Sequence, residues 1–486
     1  MKVFVLQVFF SLCICTYAQD MQVGKFRELY AWKQITFNIN GNILMRDRAT
    51  SEGLDRGRFK RQQYDSVYFA DNDDRSQKNW NQRYPTPSYN DASSTRFNFT
   101  TDRIDTPAFT PNQNDDPSSF YIQYNNVPMG AEKVGRRLFI TIPRRRYGIP
   151  STLNYVDLKE DTERSPSLRP YPSLMESRSL TSVYRTRADD CGRLWMVDTG
   201  LLEIPDAPRQ VQPPAIVVYD LSNDRQLLRY QLKESDLPAN DTPTGLASIT
   251  VDTTNGCHNT FAYIPDLTTF GIVVYSLREN DSWRVTHNYM HFNPLATNLN
   301  IAGQRFQWSD GIFSITLGGG RCRTAFFHPL ISTQEFSVST CILNNRTAST
   351  DSEYWMKYSI VGERGDNTQS SMHDIHPPTG VIFYAEVGRD AVSCWNSNKA
   401  LDPRNVEVLA RDQTRMSYPA DLHVTGDEVW VIANALPRFS YASLDVNDYN
   451  FFVYVGDVQD LISNTVCSVR PQTTSSNFYN NNKYNK

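Results

Sequence analysis

The sequence predicts an all-β protein, a six-bladed β-propeller with a flexible N-terminal insertion. Three observations lead there. Six short apolar phrases recur 47 to 67 residues apart: Arg137-Leu-Phe-Ile-Thr-Ile-Pro143, Arg193-Leu-Trp-Met-Val-Asp198, Thr260-Phe-Ala-Tyr-Ile-Pro-Asp266, Arg323-Thr-Ala-Phe-Phe327, Val381-Ile-Phe-Tyr-Ala385 and Glu428-Val-Trp-Val-Ile432. Most have strand-like companions, such as Thr181–Thr186 before, Ala215–Asp220, Gly271–Tyr275 or Phe451–Tyr454 after, and a more polar closing strand such as Leu227–Tyr230 or Ser282–Thr286. The aromatic content is dominated by 26 Tyr and 25 Phe, which suit pleated surfaces better than helical bundles. Six groups of about four short antiparallel strands are the pattern of radially stacked blades, which bury their faces only against one another. A pair of β-sandwiches is the competing arrangement.

The elements follow in order. Lys2, an apolar run from Val3 to Cys15 and the small-residue end at Ala18 read as a signal peptide over residues 1–18, too short to span a bilayer comfortably. Residues 19–41 hold a strand at Leu29–Ile39, placed to pair with the last blade and close the ring. Residues 42–119 are rich in Asp, Asn, Arg, Ser, Gln and Tyr without sustained periodicity, and read as a polar flexible insertion. The propeller occupies 120–467, and 468–486 form a polar, Asn-rich tail. The expected protein is secreted and soluble. Four N-x-S/T sequons, at Asn98, Asn240, Asn280 and Asn345, agree with that address.

Charge and motifs exclude several classes. The chain of 486 residues carries 49 Lys+Arg against 53 Asp+Glu, a net charge of −4, which disfavours a nucleic-acid partner. No later segment reads as membrane-spanning. There is no Walker, nucleophile-elbow or H-E-x-x-H motif, and Gly318-Gly-Gly320 reads as a turn. His373 and His376 alternate to opposite faces of a strand and precede Pro377-Pro378, so no metal site is expected there, and no cofactor is implied. His287 and His291 read as surface or capping groups. Asp198, Asp266, Asp310 and Asp421 fall at strand ends near the presumed channel; bonding to turn amides is their simplest role.

Several phrases in the blades resemble the insect yellow / major royal jelly protein family. They are Val134–Pro143 with Gly148–Tyr155, Cys191–Gly200, Phe306-Gln-Trp-Ser-Asp-Gly-Ile-Phe313, Ser282–Tyr289 and Tyr418-Pro-Ala-Asp421, in the family's order from Leu29 to Cys467 outside the insertion. The resemblance implies a secreted six-bladed propeller acting in cuticle or eggshell pigmentation and hardening, or binding small aromatic amines. Family members carry cysteines where this chain has Met175–Arg178 and Gln212–Pro214. If that missing pair is one disulfide, the resemblance leaves Cys191 to join Cys257 and Cys394 to join Cys467. Cys322 and Cys341 are additional. They face each other in a hairpin register that also sets His328 against Glu335, so a third disulfide is expected. Six cysteines allow 15 connectivities, and all three bonds stand as hypotheses at this level.

In amine-binding relatives the end of the last blade supplies an Asn and, two residues on, a Phe. Here Asn434 matches, but Leu436 removes the aromatic face, and Ala420 stands roughly where those relatives have a hydroxyl. These three are the candidate ligand residues, for a small aromatic or catecholamine ligand, and both substitutions weaken an amine carrier. Three functions remain: a non-catalytic pigmentation or matrix protein, an isomerase acting on dopachrome, and an amine carrier. Extracellular matrix is a further candidate partner, through tyrosines of the insertion and tail. No catalytic residue is singled out, and the balance leans away from catalysis. If an acid/base is needed, His373, Asp266 and Asp310 are the candidates, and the sequence does not choose among them.

Overall fold

The computed structural model describes residues 22–45, 116–205, 208–238 and 242–468. The predicted signal peptide, most of the insertion, the tail beyond 468, Asn98 and Asn240 lie outside these residues. No described helix is long and apolar enough to cross a membrane.

Six antiparallel sheets form a closed ring of blades. Blade 1 runs from Gly130–Val134 through Arg137–Thr141 and Leu153–Asp157 to a two-residue edge at Arg169–Pro170. Blade 2 comprises Val183–Ala188, Arg193–Asp198, Ala215–Asp220 and Arg225–Gln231. Blade 3 comprises Thr250–Asp252, Phe261–Asp266, Gly271–Ser276 and Asp281–Thr286. Blade 4 comprises Ile312–Leu317, Thr324–Pro329, Gln334–Ser339 and Tyr358–Glu363. Blade 5 comprises Ser370–His376, Val381–Glu386, Ala391–Asn396 and Val406–Arg411. Blade 6 takes Pro419–Thr425, Glu428–Ala433 and Phe451–Asp457 from the C-terminal end of the chain and Phe26–Trp32 from the N-terminal end.

The six recurrent phrases are the second strands of the six blades. They recur as near-continuous apolar runs because second and third strands are covered on both faces: Phe261–Asp266, Gly271–Ser276, Val381–Glu386 and Ala391–Asn396 are buried at every position. The fourth strand of blade 2 faces solvent, and Arg225–Gln231 has no buried residue.

The closing strand differs in its limits from the expected Leu29–Ile39. It starts at Phe26 and stops at Trp32. Phe37–Ile39 belongs to a separate hairpin with Asn42–Leu44, turned at Asn40-Gly41. Both turn residues have positive φ, 51° and 86°, the conformation that an Asn-Gly pair adopts in a two-residue hairpin turn. The alternating pattern of one sequence run therefore serves two strands.

All three expected disulfides are present. Cys191–Cys257 ties blade 2 to blade 3, and Cys394–Cys467 ties blade 5 to the chain beyond the closing blade. Cys322 and Cys341 lie just past the hairpin ladder, with Cα atoms 5.1 Å apart. The ladder pairs Thr324 with Ser339 and Phe327 with Phe336, the register read from the sequence.

Candidate functional site

The first strands of the blades line the channel, and their polar side chains fill part of it. Arg187 of blade 2 donates through Nη1 to Asp374 Oδ2 of blade 5 at 2.7 Å. Blades 2 and 5 stand three apart in a ring of six, so this pair crosses the axis. The same Nη1 lies 2.7 Å from His423 Nδ1 of blade 6, whose Nε2 faces Asp421 Oδ2 (3.1 Å) and Glu132 Oε2 (3.2 Å) of blade 1. Thr316 of blade 4 donates to Asp374 Oδ1 at 2.9 Å. Five blades thus meet in one buried network. Burial would raise Asp374 and Asp421, but Arg187 and His423 beside the first, and His423 and Arg185 beside the second, hold both below the usual carboxylate range.

Beyond this plug the channel opens into a cavity of about 1330 Å³ at one mouth. Arg185 lies at the boundary. Its Nη2 donates to the Ala420 carbonyl, its Nε lies 3.4 Å from Asp421, and its guanidinium covers the Phe313 ring at 4.7 Å. The wall is aromatic. Phe306 packs against Trp308 and Tyr441, each at 4.8 Å between centroids. Trp308 Nε1 donates to the Tyr441 hydroxyl at 2.6 Å, and its ring meets Tyr418 edge-on at 6.1 Å. Phe306 lies in a short hairpin strand, Gln304–Gln307, which delivers Trp308 and then Asp310 to the cavity.

Asp310 is fixed by its backbone. Its carbonyl accepts from Ile331 N at 3.1 Å, and Gly311 N donates to Leu267 O at 2.7 Å. Gly311 permits this approach, since a Cβ there would stand 2.3 Å from the Phe270 ring and 2.6 Å from the Met290 carbonyl. The Asp310 carboxylate has no hydrogen-bond partner among the described residues. Burial pushes its pKa up to about 6, against the pull of Arg145. Arg145 lines the same cavity, with Nε donating to the Ile204 carbonyl at 3.2 Å. Asp390, also on the lining, is raised to about 7 by burial, with Arg411 opposing.

The other acidic candidates separate cleanly. Asp198 accepts from the amides of Thr181 and Ser182 and from Arg229, and Asp266 accepts from the amides of Gly245, Thr268 and Thr269 and from Arg284. Asp421 is part of the plug, where it also accepts from Ala131 N at 3.0 Å. His373 is buried between blades 4 and 5, and His376 bonds Thr379 and Asp427 instead of sharing a site with it. His287 accepts from Tyr289 N as a cap, although it is buried rather than superficial, and exposed His291 lies against Phe270. Gly318–Gly320 form the predicted turn.

Of the three candidate ligand residues, only the Leu436 side chain lines the cavity. Asn434 is 2 % exposed and its amide is already committed: Nδ2 donates to Pro128 O at 2.8 Å, and Oδ1 accepts from Leu436 N at 2.9 Å. Ala420 is fully buried and offers its carbonyl to Arg185. Sequence reasoning missed Arg145, Trp308 and Tyr441 as a group. The available signal was the phrase Phe306–Phe313, in which two aromatics precede Asp310. Asn280 and Asn345, the two described sequons, are exposed.

Comparisons with known proteins place the chain in a family. The Major royal jelly protein family model matches residues 181–467. The L-dopachrome tautomerase yellow-f of Drosophila melanogaster is 44% identical over 362 residues, covering 72% of this chain and 84% of the relative. Protein yellow of Drosophila subobscura is 37% identical and that of Drosophila melanogaster 36% identical over 365 residues; each match covers 73% of this chain. It spans 63% and 66% of those two relatives, less than two thirds of their length. A solved streptogramin B lyase is similar at 12% identity and a TM-score of 0.37, with coverage of 69% of this chain and 97% of that one. On the strength of the family model and these relatives, the chain belongs to the yellow / major royal jelly protein family.

Proposed function

We propose that the protein is secreted and acts in the melanin pathway as a tautomerase of dopachrome-like aminochromes, using the mouth cavity as its site. The observation that carries this reading is Asp310: a carboxyl group without a hydrogen-bond partner among the described residues, beside an aromatic wall, with a pKa of about 6. Such a group exchanges protons near neutral pH. The reaction is an isomerisation. A C–H bond of the partly saturated ring breaks and its proton passes to the Asp310 carboxylate. The electron pair moves through the conjugated ring onto a quinone oxygen, which takes up a proton from Asp310 or water. A second hydrogen shift completes the dihydroxyindole, and no oxidant is consumed. Trp308 and Tyr418 supply faces for the planar ring.

Charge favours this reading over amine carriage. The cavity is lined by five arginines, Arg145, Arg146, Arg185, Arg305 and Arg411, and two aspartates with raised pKa values. An ammonium ligand would enter a positive field, whereas the carboxylate of dopachrome would be drawn to it. Arg145 is placed to hold that carboxylate near Asp310. The replacement of an aromatic by Leu436 points the same way. Binding to extracellular matrix and glycosylation at exposed Asn280 and Asn345 are compatible with this role.

The test is to follow the visible absorbance of L-dopachrome with purified protein. Acceleration over buffer, lost in Asp310→Asn, is expected. Equal decay with and without protein would overturn the reading and return the protein to the non-catalytic class.

A further inference from the structure

A second cluster of chemically capable side chains lies between blades 4 and 5. His328 and Glu335 face each other across the second and third strands of blade 4, and His373 reaches them from the first strand of blade 5. All three are sealed, at most 1 % exposed. One ligand atom from each lies within 4.8 Å of the other two.

The hydrogen bonds around the cluster turn one nitrogen of each histidine ring inward, toward Glu335. His328 Nε2 is 3.1 Å from the Ser370 carbonyl, which can only accept, so this nitrogen carries the hydrogen. A neutral His328 then turns the bare Nδ1 lone pair toward Glu335 Oε2 at 3.1 Å, acceptor against acceptor. His373 Nδ1 is engaged by the Ser314 hydroxyl at 2.6 Å, leaving Nε2 directed inward. That Nε2 lies 3.1 Å from Glu335 Oε1, yet both atoms are buried without a hydrogen bond. They sit close without aiming at each other, as groups do around a common centre. Anchoring the outer imidazole nitrogen on a carbonyl or hydroxyl is how metal-ligating histidines are held.

Arg364 fixes the carboxylate. Nη1 donates to Glu335 Oε2 at 2.8 Å, and its other bonds run to the carbonyls of Ser332, Gln334 and Thr368. Tyr384 stacks on the His373 ring at 5.5 Å, and its buried hydroxyl has no hydrogen bond either. It is a further polar group beside Glu335 for a fourth position.

We propose that His328, Glu335 and His373 form a closed site for a divalent transition-metal ion, zinc in the first place, which clasps blade 4 to blade 5. Two imidazoles and a carboxylate are a zinc donor set that leaves a fourth position to be filled, and sealing from solvent denies that position to a substrate, which favours a structural role. A modest inward movement brings the three donors to the roughly 2.0–2.2 Å that zinc requires. The sequence alone predicts no metal site at His373 and His376; the partners proposed for His373 stand on another blade. The competing occupant is a proton on His328, held between Glu335 and Ser370.

The experiment uses the full-length protein without a histidine tag. It is equilibrated with micromolar zinc, dialysed into metal-free buffer, and its metal counted by mass spectrometry. About one zinc per chain is expected, falling to near zero in His328→Gln and His373→Gln and unchanged in exposed His291→Gln. Cobalt(II) in the metal-free protein should give visible d–d bands of a four-coordinate nitrogen and oxygen site, and a chelator should lower the melting temperature. If either variant fails to fold, the wild-type count decides alone. Less than about a tenth of a zinc per chain in folded wild-type protein overturns the site. So does zinc that survives both substitutions. A zinc-free protein whose stability titrates with an imidazole would give the position to the proton. None of these outcomes depends on tautomerase activity.

Discussion

The plugged channel and the open mouth are made from the same residue types, arginine, aspartate and aromatic rings, arranged to different ends. In the plug, Arg187 meets Asp374 and His423 meets Asp421 and Glu132, so charges sit within bonding distance of opposite charges. In the mouth, Asp310 and Arg145 share a wall without a hydrogen bond between them. Satisfied charges lock blades together and have nothing to offer a ligand. Charges left without a partner cost stability, and that cost is how sites for chemistry are recognised.

The sharpest way to break the comparison is to remove Asp310. Asp310→Asn should lower kcat/KM for L-dopachrome by about 100- to 10,000-fold while the fold persists. In the wild type, kcat/KM should rise with pH through about 6 as the carboxyl ionises, and that limb should vanish in the variant. Asp374→Ala attacks the other region. It strands Arg187 in the channel and should cost about 3 kcal/mol in denaturant unfolding, far more than any substitution at the mouth. An unchanged midpoint would mean that the plug is incidental to stability.

Smaller effects sharpen the assignment within the mouth. Arg145→Gln should erase a roughly tenfold preference for dopachrome over its decarboxylated analogue, leaving kcat for the analogue nearly unchanged. Trp308→Ala should raise KM about fivefold by removing a stacking face. Last, Asp310→Asn should stabilise the protein by about 1 kcal/mol at pH 7. The sign follows from the raised pKa. The folded state holds the proton more tightly than the unfolded chain, so ionisation destabilises it, and the gain should appear between about pH 4 and 6 and vanish below.

How much of this was legible in the sequence depended on range. The second strands announced themselves because burial on both faces demands continuous apolar runs. Arg169–Pro170, only two residues long, carried no such signal. The Cys322–Cys341 hairpin was readable because register is local arithmetic. Asp310 stood among the acid/base candidates, but choosing it over Asp266 required knowing which carboxylate the turn amides had already claimed. Asn434 was weighted by position in a motif, and its consumption by Pro128, from the opposite end of the propeller sequence, left no trace in its neighbours. The histidine pair that matters, His328 and His373, spans two blades and has no spacing to recognise.

The closing strand has a consequence in time. Phe26–Trp32 must wait for Phe451–Asp457 before blade 6 exists, and Lys25 reaches the Asp460 carbonyl across a separation of 435 residues. During synthesis nearly the whole propeller emerges while Phe26–Trp32 lacks its blade 6 neighbour Phe451–Asp457 and the ring stays open. Pairing over so long a loop is slow, and the waiting strand edges can pair with other chains. Assembly of this protein is therefore limited by its ends, and a change confined to the N-terminal strand should reduce the yield of folded protein more than its seven residues would suggest.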